Sequence, residues 1–202
     1  MRGTVQTKEV KEAILDATDR LLTRYGYKKM TIDDLAQEVG IGKGSIYLHF
    51  ISKEEIALSH IDRIIERLKE RLLAIAAEKS KPEARLRRML LERVLFRFDS
   101  VQHYTQSLND LLAVLRGRLL SRRKKYFEEE AEIFASVINE GKERSIFATS
   151  DATKTAETLL TATNSLLPYS LSAQELGARS EIEEKTLRVA NLLLQGIVRR
   201  DK

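Results

Sequence analysis

At 202 residues and 43% hydrophobic content, the chain can form one or two domains with buried cores. It has no cysteine, which excludes disulfides and thiolate metal sites, and no apolar run approaches the roughly 20 residues that cross a bilayer. The net charge of +5 permits nucleic-acid binding without demanding it.

Only two prolines and nine glycines stand among abundant Leu, Ala, Glu, Lys and Arg, so an all-α fold is expected. Nothing resembles a signal peptide, and a cytoplasmic protein is expected. Residues 1–6 read as a flexible tail. From Thr7, the residues Val10, Ile14, Ala17, Leu21 and Leu22 form a helical stripe that runs to about Tyr25, where Gly26 stops it. Tyr27 should pack beside this helix, and the stripe should cover the next two.

Those two lie in the stretch Met30 to Phe50, two short helices around a tight glycine turn. Thr31 is a good N-cap, with Asp34 three residues on as an imperfect capping box and Met30 and Leu35 at the staple positions. Gly40 stands where a left-handed C-terminal residue is wanted. Ile46 and Phe50 give the second helix one apolar edge. Its other edge carries Lys43, Gly44, Ser45, Tyr47 and His49. There is no acid from Val39 to Lys53, and Lys28 and Lys29 lie just upstream. Such a hydroxyl- and base-rich edge suits phosphate and base contacts. The expected DNA-contacting residues are Lys28, Thr31, Gly42, Lys43, Gly44, Ser45, Tyr47, His49 and Lys53, with Lys43, Gly44 and Ser45 nearest the base edges.

Thr31 through Lys53, with Ala36, Gly40, Ile46-Tyr47, His49-Phe50 and Ser52-Lys53 in order, resembles the DNA-binding head of TetR-family transcriptional regulators. The resemblance implies an N-terminal three-helix helix-turn-helix head and a C-terminal helical bundle that binds a ligand and dimerises. Most members are repressors released from DNA by a small molecule. The expected domains are 1–51 for DNA binding and 52–202 for ligand binding and dimerisation. Alternatives are the same fold acting as an activator or without an effector, and, more distantly, a helical adaptor for an acidic protein or membrane surface.

Ser52-Lys53-Glu54-Glu55-Ile56 is a clear helix start: Ser52 and Glu55 form a capping box, and Ile51 is placed to staple to Ile56. Lys53 in a first turn opposes the helix dipole. A nearby phosphate would resolve that, and the resemblance implies one. This helix reaches about Glu78. Pro82 opens the next, lined by Leu86, Leu90, Val94 and Val101 and widened by Leu91, Leu95 and Phe98. A short helix over Thr105 to Leu115 should end near Gly117, followed by one from about Leu119 to Glu140 that Gly141 stops. Ser150-Asp151 opens a helix to about Leu167, and Ile182 to Ile197 forms the last.

Leu159, Leu160, Leu166 and Leu167 on one of these terminal helices, and Leu187, Val189, Leu192, Leu193, Leu194 and Ile197 on the other, exceed what a single inward edge needs. A homodimer interface is expected there, and the resemblance implies a four-helix one. The expected ligand-lining residues are Phe96, His103, Tyr104, Tyr126, Phe127, Phe134 and Asn164, for an unknown small-molecule effector. The run Arg116, Arg118, Arg122, Arg123, Lys124 and Lys125 reads as a solvated face partly neutralised by Glu128, Glu129 and Glu130, with a second anion site as the alternative. His49, His60 and His103 are too scattered to suggest a metal. With no nucleophile motif, phosphate loop or cofactor fingerprint, an enzyme is not expected.

Overall fold

The computed structural model describes residues 2–102, 105–168 and 177–198, without the side chains of residues 2–6, 105–109, 111 and 112. Its elements are α1 (Arg2–Lys29), α2 (Ile32–Val39), α3 (Lys43–His49), α4 (Lys53–Ala76), α5 (Pro82–Val101), α6 (Thr105–Glu143), α7 (Ala152–Thr163), a 3₁₀ turn over Asn164–Leu166, and α8 (Arg179–Ile197). Among the described residues no strand forms; Phe147 and Val198 make one isolated antiparallel bridge. The fold is all-α.

Two compact units interleave along the chain. The first comprises Met1–Ile64 and Gln102–Leu119, the second Ile65–Val101 and Leu120–Lys202.

The first unit closes around Ile14, Ala17, Leu21 and Leu22 of α1, Leu35 and Ala36 of α2, and Ile46 of α3. Phe50, Ile56 of α4 and Leu115 of α6 complete it. The α1 stripe lies where its periodicity puts it. Residues 2–6 continue the helix instead of forming a tail. Gly26 breaks the helical path with φ 73° and ψ 167°, so the chain turns there and resumes for three residues. At the start of α4, Ser52 Oγ accepts from the Glu55 amide at 3.2 Å. Ile56 is fully buried but Ile51 stays 80% exposed, so the expected staple between them does not form.

The second unit packs Leu68, Leu72 and Ile75 of α4 against Leu86, Met89 and Leu90 of α5. Ala131, Phe134 and Ile138 of α6, Ala156, Leu159 and Leu160 of α7, and Ala190 and Leu194 of α8 fill the rest. A smaller cluster holds Val94, Leu95, Phe98, Leu167 and Ile182.

Where two helices were expected between Thr105 and Glu140, one runs unbroken to Glu143. A helical glycine costs only about 1 kcal/mol, and Gly117 sits among Leu, Arg and Lys, which favour helix. Gly141 does not stop it either. The left-handed residue is Ser145, φ 58°. Gly141 is needed for another reason: a Cβ there would lie 2.1 Å from the Phe147 ring, which is itself buried.

The leucine surplus on α7 and α8 is largely absorbed inside the protomer. Leu159, Leu160, Leu167 and Leu194 are buried in its own clusters and present no surface to a partner. Leu166, Leu187, Leu193 and Ile197 are half-buried, while Leu192 is 71% exposed.

Candidate nucleic-acid interface

α2 is fixed by its N-terminal cap. Thr31 Oγ1 accepts from the Asp34 amide at 3.1 Å, and Asp34 Oδ2 accepts from the Thr31 amide at 2.8 Å, so the capping box is complete in both directions. The Thr31 hydroxyl and amide together hold the Asp34 carboxyl below its ordinary range. Met30 and Leu35 are both fully buried, as a staple requires. Gly40, at φ 76°, ends α2 in the left-handed region, its amide and that of Ile41 donating to α2's last carbonyls. A side chain at Gly40 would be strained whatever the space around it.

The turn leads through Gly42 into α3. Ile46 and Phe50 are buried and anchor this helix to the core, so its opposite side is fixed outward. Gly42, Lys43, Gly44 and Tyr47 are exposed there, with Ser45 and His49 half-exposed. Space is open where Cβ atoms on Gly42 and Gly44 would point, so the backbone can closely approach a ligand. Leu48, which the sequence patterning does not single out, is the most exposed large apolar residue of the helix, at 83%. Thr31 and Lys28 are also exposed.

The cations of this face already have partners. Lys43 Nζ donates to Asp33 Oδ2 at 2.9 Å, and that carboxylate raises the lysine's pKa. Lys28 pairs with Asp110 at 2.7 Å. Lys53 donates to the carbonyls of Tyr27 and Met30, both at 3.1 Å, and lies 4.5 Å over the Tyr27 ring. Sequence alone accounts for this first-turn lysine by a phosphate; the structure supplies two carbonyls just beyond the Gly26 break. Beneath it, burial and the neighbouring Glu54 carboxylate push the Tyr27 phenol up to about 12.

In the second unit, His103 and Tyr104 lie outside the described residues. Phe134 is fully buried in the main core, and Phe96 and Phe127 pack half-buried against it, with Arg71 4.8 Å over the Phe96 ring. Tyr126 is half-buried. Asn164 Oδ1 accepts from Arg93 Nη2 at 2.8 Å, which gives the half-buried amide a partner within the chain. A cleft of about 500 Å³ opens between α5 and α8, lined by Glu83, Arg87, Asn191, Leu194, Gln195 and Val198, and holds none of the expected ligand residues. In the basic run, Lys124 and Lys125 pair one turn on with Glu128 and Glu129, at 3.7 and 3.6 Å. Glu130 instead turns inward to Arg93 and Arg97.

A capped helix, a glycine turn and a second helix anchored by one edge define a helix-turn-helix protein, carried here on an all-α chain. Residues 14–59 match the family model of bacterial regulatory proteins, tetR family. An HTH-type transcriptional regulator of Lactococcus lactis subsp. lactis, itself uncharacterized, is 37% identical over 84 residues, covering 41% of this chain and 43% of its own. The match thus spans less than half the length of that relative. Over residues 14–59 the chain is similar to the tetR family. Its fold is shared with a transcriptional regulator from Cytophaga hutchinsonii, TM-score 0.75 at 21% identity over 92% of this chain and 97% of that one. SmeT, described as the repressor of the Stenotrophomonas maltophilia multidrug efflux pump SmeDEF, gives 0.68 at 16% identity, over 94% and 90%.

Proposed function

We propose that this chain is a sequence-specific DNA-binding repressor, acting as a homodimer and released from its operator by a small molecule bound in the helical body. The outward side of α3 carries the proposal: Ile46 and Phe50 lock the helix from behind, leaving Gly42, Lys43, Gly44 and Tyr47 exposed in front. A helix presented this way fits a major groove, where Lys43, Gly44 and Ser45 meet base edges while Thr31, Tyr47 and His49 meet phosphates. Lys43 exchanges Asp33 for DNA on docking. The DNA-contacting part is residues 1–51. Two heads in a symmetric dimer would reach half-sites one helical turn apart, about 34 Å.

Release follows from elements common to both units. α4 and α6 each begin among the residues of the first unit and end among those of the second. An effector that favours one arrangement of their distal halves changes DNA affinity by its differential binding to the two states. The repressor sense rests on likeness to proteins such as SmeT, so it stands below DNA binding in support.

Fluorescence anisotropy against random duplex DNA at low salt tests the core of this. The parent binds with a steep salt dependence. Tyr47→Ala and His49→Ala, at the two α3 positions assigned to phosphates, each weaken binding to all duplexes. A parent that ignores duplex DNA refutes the function. If both variants bind as the parent does, the docking face is wrong.

A further inference from the structure

Leu48 is the most exposed large apolar side chain among the described residues, at 83%, and it stands at the centre of the outward face of α3. Successive helical residues are about 100° apart, so Leu48 lies about 200° round from Ile46, which anchors α3 to the core. Tyr47 and His49 flank it, about 100° to either side. Gly44 lies one turn back on the same face. A helical side chain leans over the turn N-terminal to it, which carries Leu48 toward the place where Gly44 has no side chain. A Cβ at Gly44 would meet nothing within 4 Å, so a methyl group from outside has room to enter there with the leucine beside it.

Nothing inside the chain accounts for this leucine. Its side chain enters none of the core clusters, and Lys, Glu or Gln would serve the helix about as well while being better solvated. Nor does it stand alone: Ile51 is 80% exposed and Tyr47 48%. From Gly40 to Ser52 there is no acidic residue, while Lys43 and His49 lie on the same helix, so the surface that fits this face is a polyanion. A leucine offers neither donor nor acceptor. The one feature it can read among those a base pair shows in the major groove is the C5-methyl of thymine.

We propose that Leu48 selects a thymine in each operator half-site by packing against its C5-methyl over Gly44. This rests on reading α3 as the helix that enters the groove, and it adds a base preference to that reading. The bare backbone at Gly44 lets the methyl come close, and the contact takes both methyl and leucine out of water.

The test removes the methyl while leaving the hydrogen-bonding edge of the base pair intact. The full-length protein selects its preferred sites from a random duplex library, and each thymine of the selected duplex is then replaced in turn by deoxyuridine. Anisotropy reads the affinity of the parent, Leu48→Ala and Leu48→Met for each duplex. At one thymine position per half-site the parent binds the deoxyuridine duplex about fourfold more weakly, the worth of one buried methyl. Leu48→Ala binds the thymine duplex as weakly as the parent binds the deoxyuridine one, and its own preference between the two is lost. Leu48→Met, still apolar and similar in volume, keeps the preference. Both variants melt with the parent, because the side chain packs on nothing in the chain. Deoxyuridine without effect at every position overturns the inference, and so does a thymine preference that Leu48→Ala retains. A Leu48→Ala protein that self-associates less than the parent in sedimentation assigns the leucine to a second copy and overturns it as well. These results leave DNA binding itself intact, whereas a parent that binds no duplex removes the DNA reading and the leucine's role with it.

Discussion

Lys53 offers the sharpest perturbation, because two physical roles for it predict different outcomes. In the structure its ammonium bridges the carbonyls of Tyr27 and Met30, the backbone between the break at Gly26 and the cap of α2, and it covers the Tyr27 ring. Lys53→Met keeps the aliphatic stem and removes the donor. A hydrogen bond from a charged group is worth about 1.5–3 kcal/mol, and an exposed cation–π contact about 0.5–1. Lys53 is half-exposed, so the lower ends apply, and part of that is recovered by water on the freed carbonyls. The net loss is about 2 kcal/mol, a fall in Tm of about 4–8 °C for a chain of this size. DNA affinity falls as well, since the angle between α1 and α2 is no longer fixed, but the slope of log K against log salt stays that of the parent. Circular dichroism melts and anisotropy at a series of salt concentrations read both quantities. A variant with unaltered Tm whose slope drops by about 0.9 has lost a phosphate contact, and the carbonyl clasp is then incidental.

Asp34→Ala removes the return half of the capping box. The folded-state carboxyl titrates below its ordinary range, so its contribution is present at neutral pH and fades as the pH falls through the folded pKa. The Tm gap between parent and variant is therefore greatest near neutrality and closes in acid; a gap that widens in acid contradicts the assignment. Gly141→Ala forces a methyl into the Phe147 ring and should cost about 1–3 kcal/mol, and Phe147→Ala in the same chain should reverse the sign of that step by freeing the space, as chemical denaturation of the four proteins in the cycle would show. In sedimentation equilibrium the parent runs as a dimer and Leu192→Glu weakens self-association while leaving the melt intact. Leu159→Ala, closed inside the protomer, lowers stability by about 2–5 kcal/mol instead. A monomeric parent at high concentration removes the dimer from the proposed function.

The head was legible because its determinants are local. The Thr31 cap, the Gly40 stop and the i,i+4 pair Ile46 and Phe50 each act within one or two helical turns, and each is found where the spacing puts it. Gly117 and Gly141 show the limit of the same logic. A glycine marks a helix end only when the chain beyond it has somewhere else to go; Gly117 is carried through by its helix-favouring neighbours, and Gly141 by the aromatic ring that needs its missing side chain. Ile51 fails as a staple for a comparable reason, since spacing names a partner but not whether the chain folds back to reach it.

Charges are harder to read, because a sequence shows where they are and not what they meet. Lys28, Lys43 and Lys53 look like three free cations beside a recognition helix, and folding gives each an internal oxygen. The reverse holds in the body, where Arg85, Arg93 and Arg97 look like the polar positions of a helix whose core is lined by leucines. The spacing carries a faint signal, since Arg93 and Arg97 are i,i+4 partners and Arg85 stands two turns back from Arg93, so all three share a face. Finding it required knowing that α6 turns Glu130 away from the acids beside it and inward to that face, which depends on packing that joins positions more than thirty residues apart. Any anion that Lys28, Lys43 or Lys53 binds is therefore gained only net of the internal oxygen it leaves.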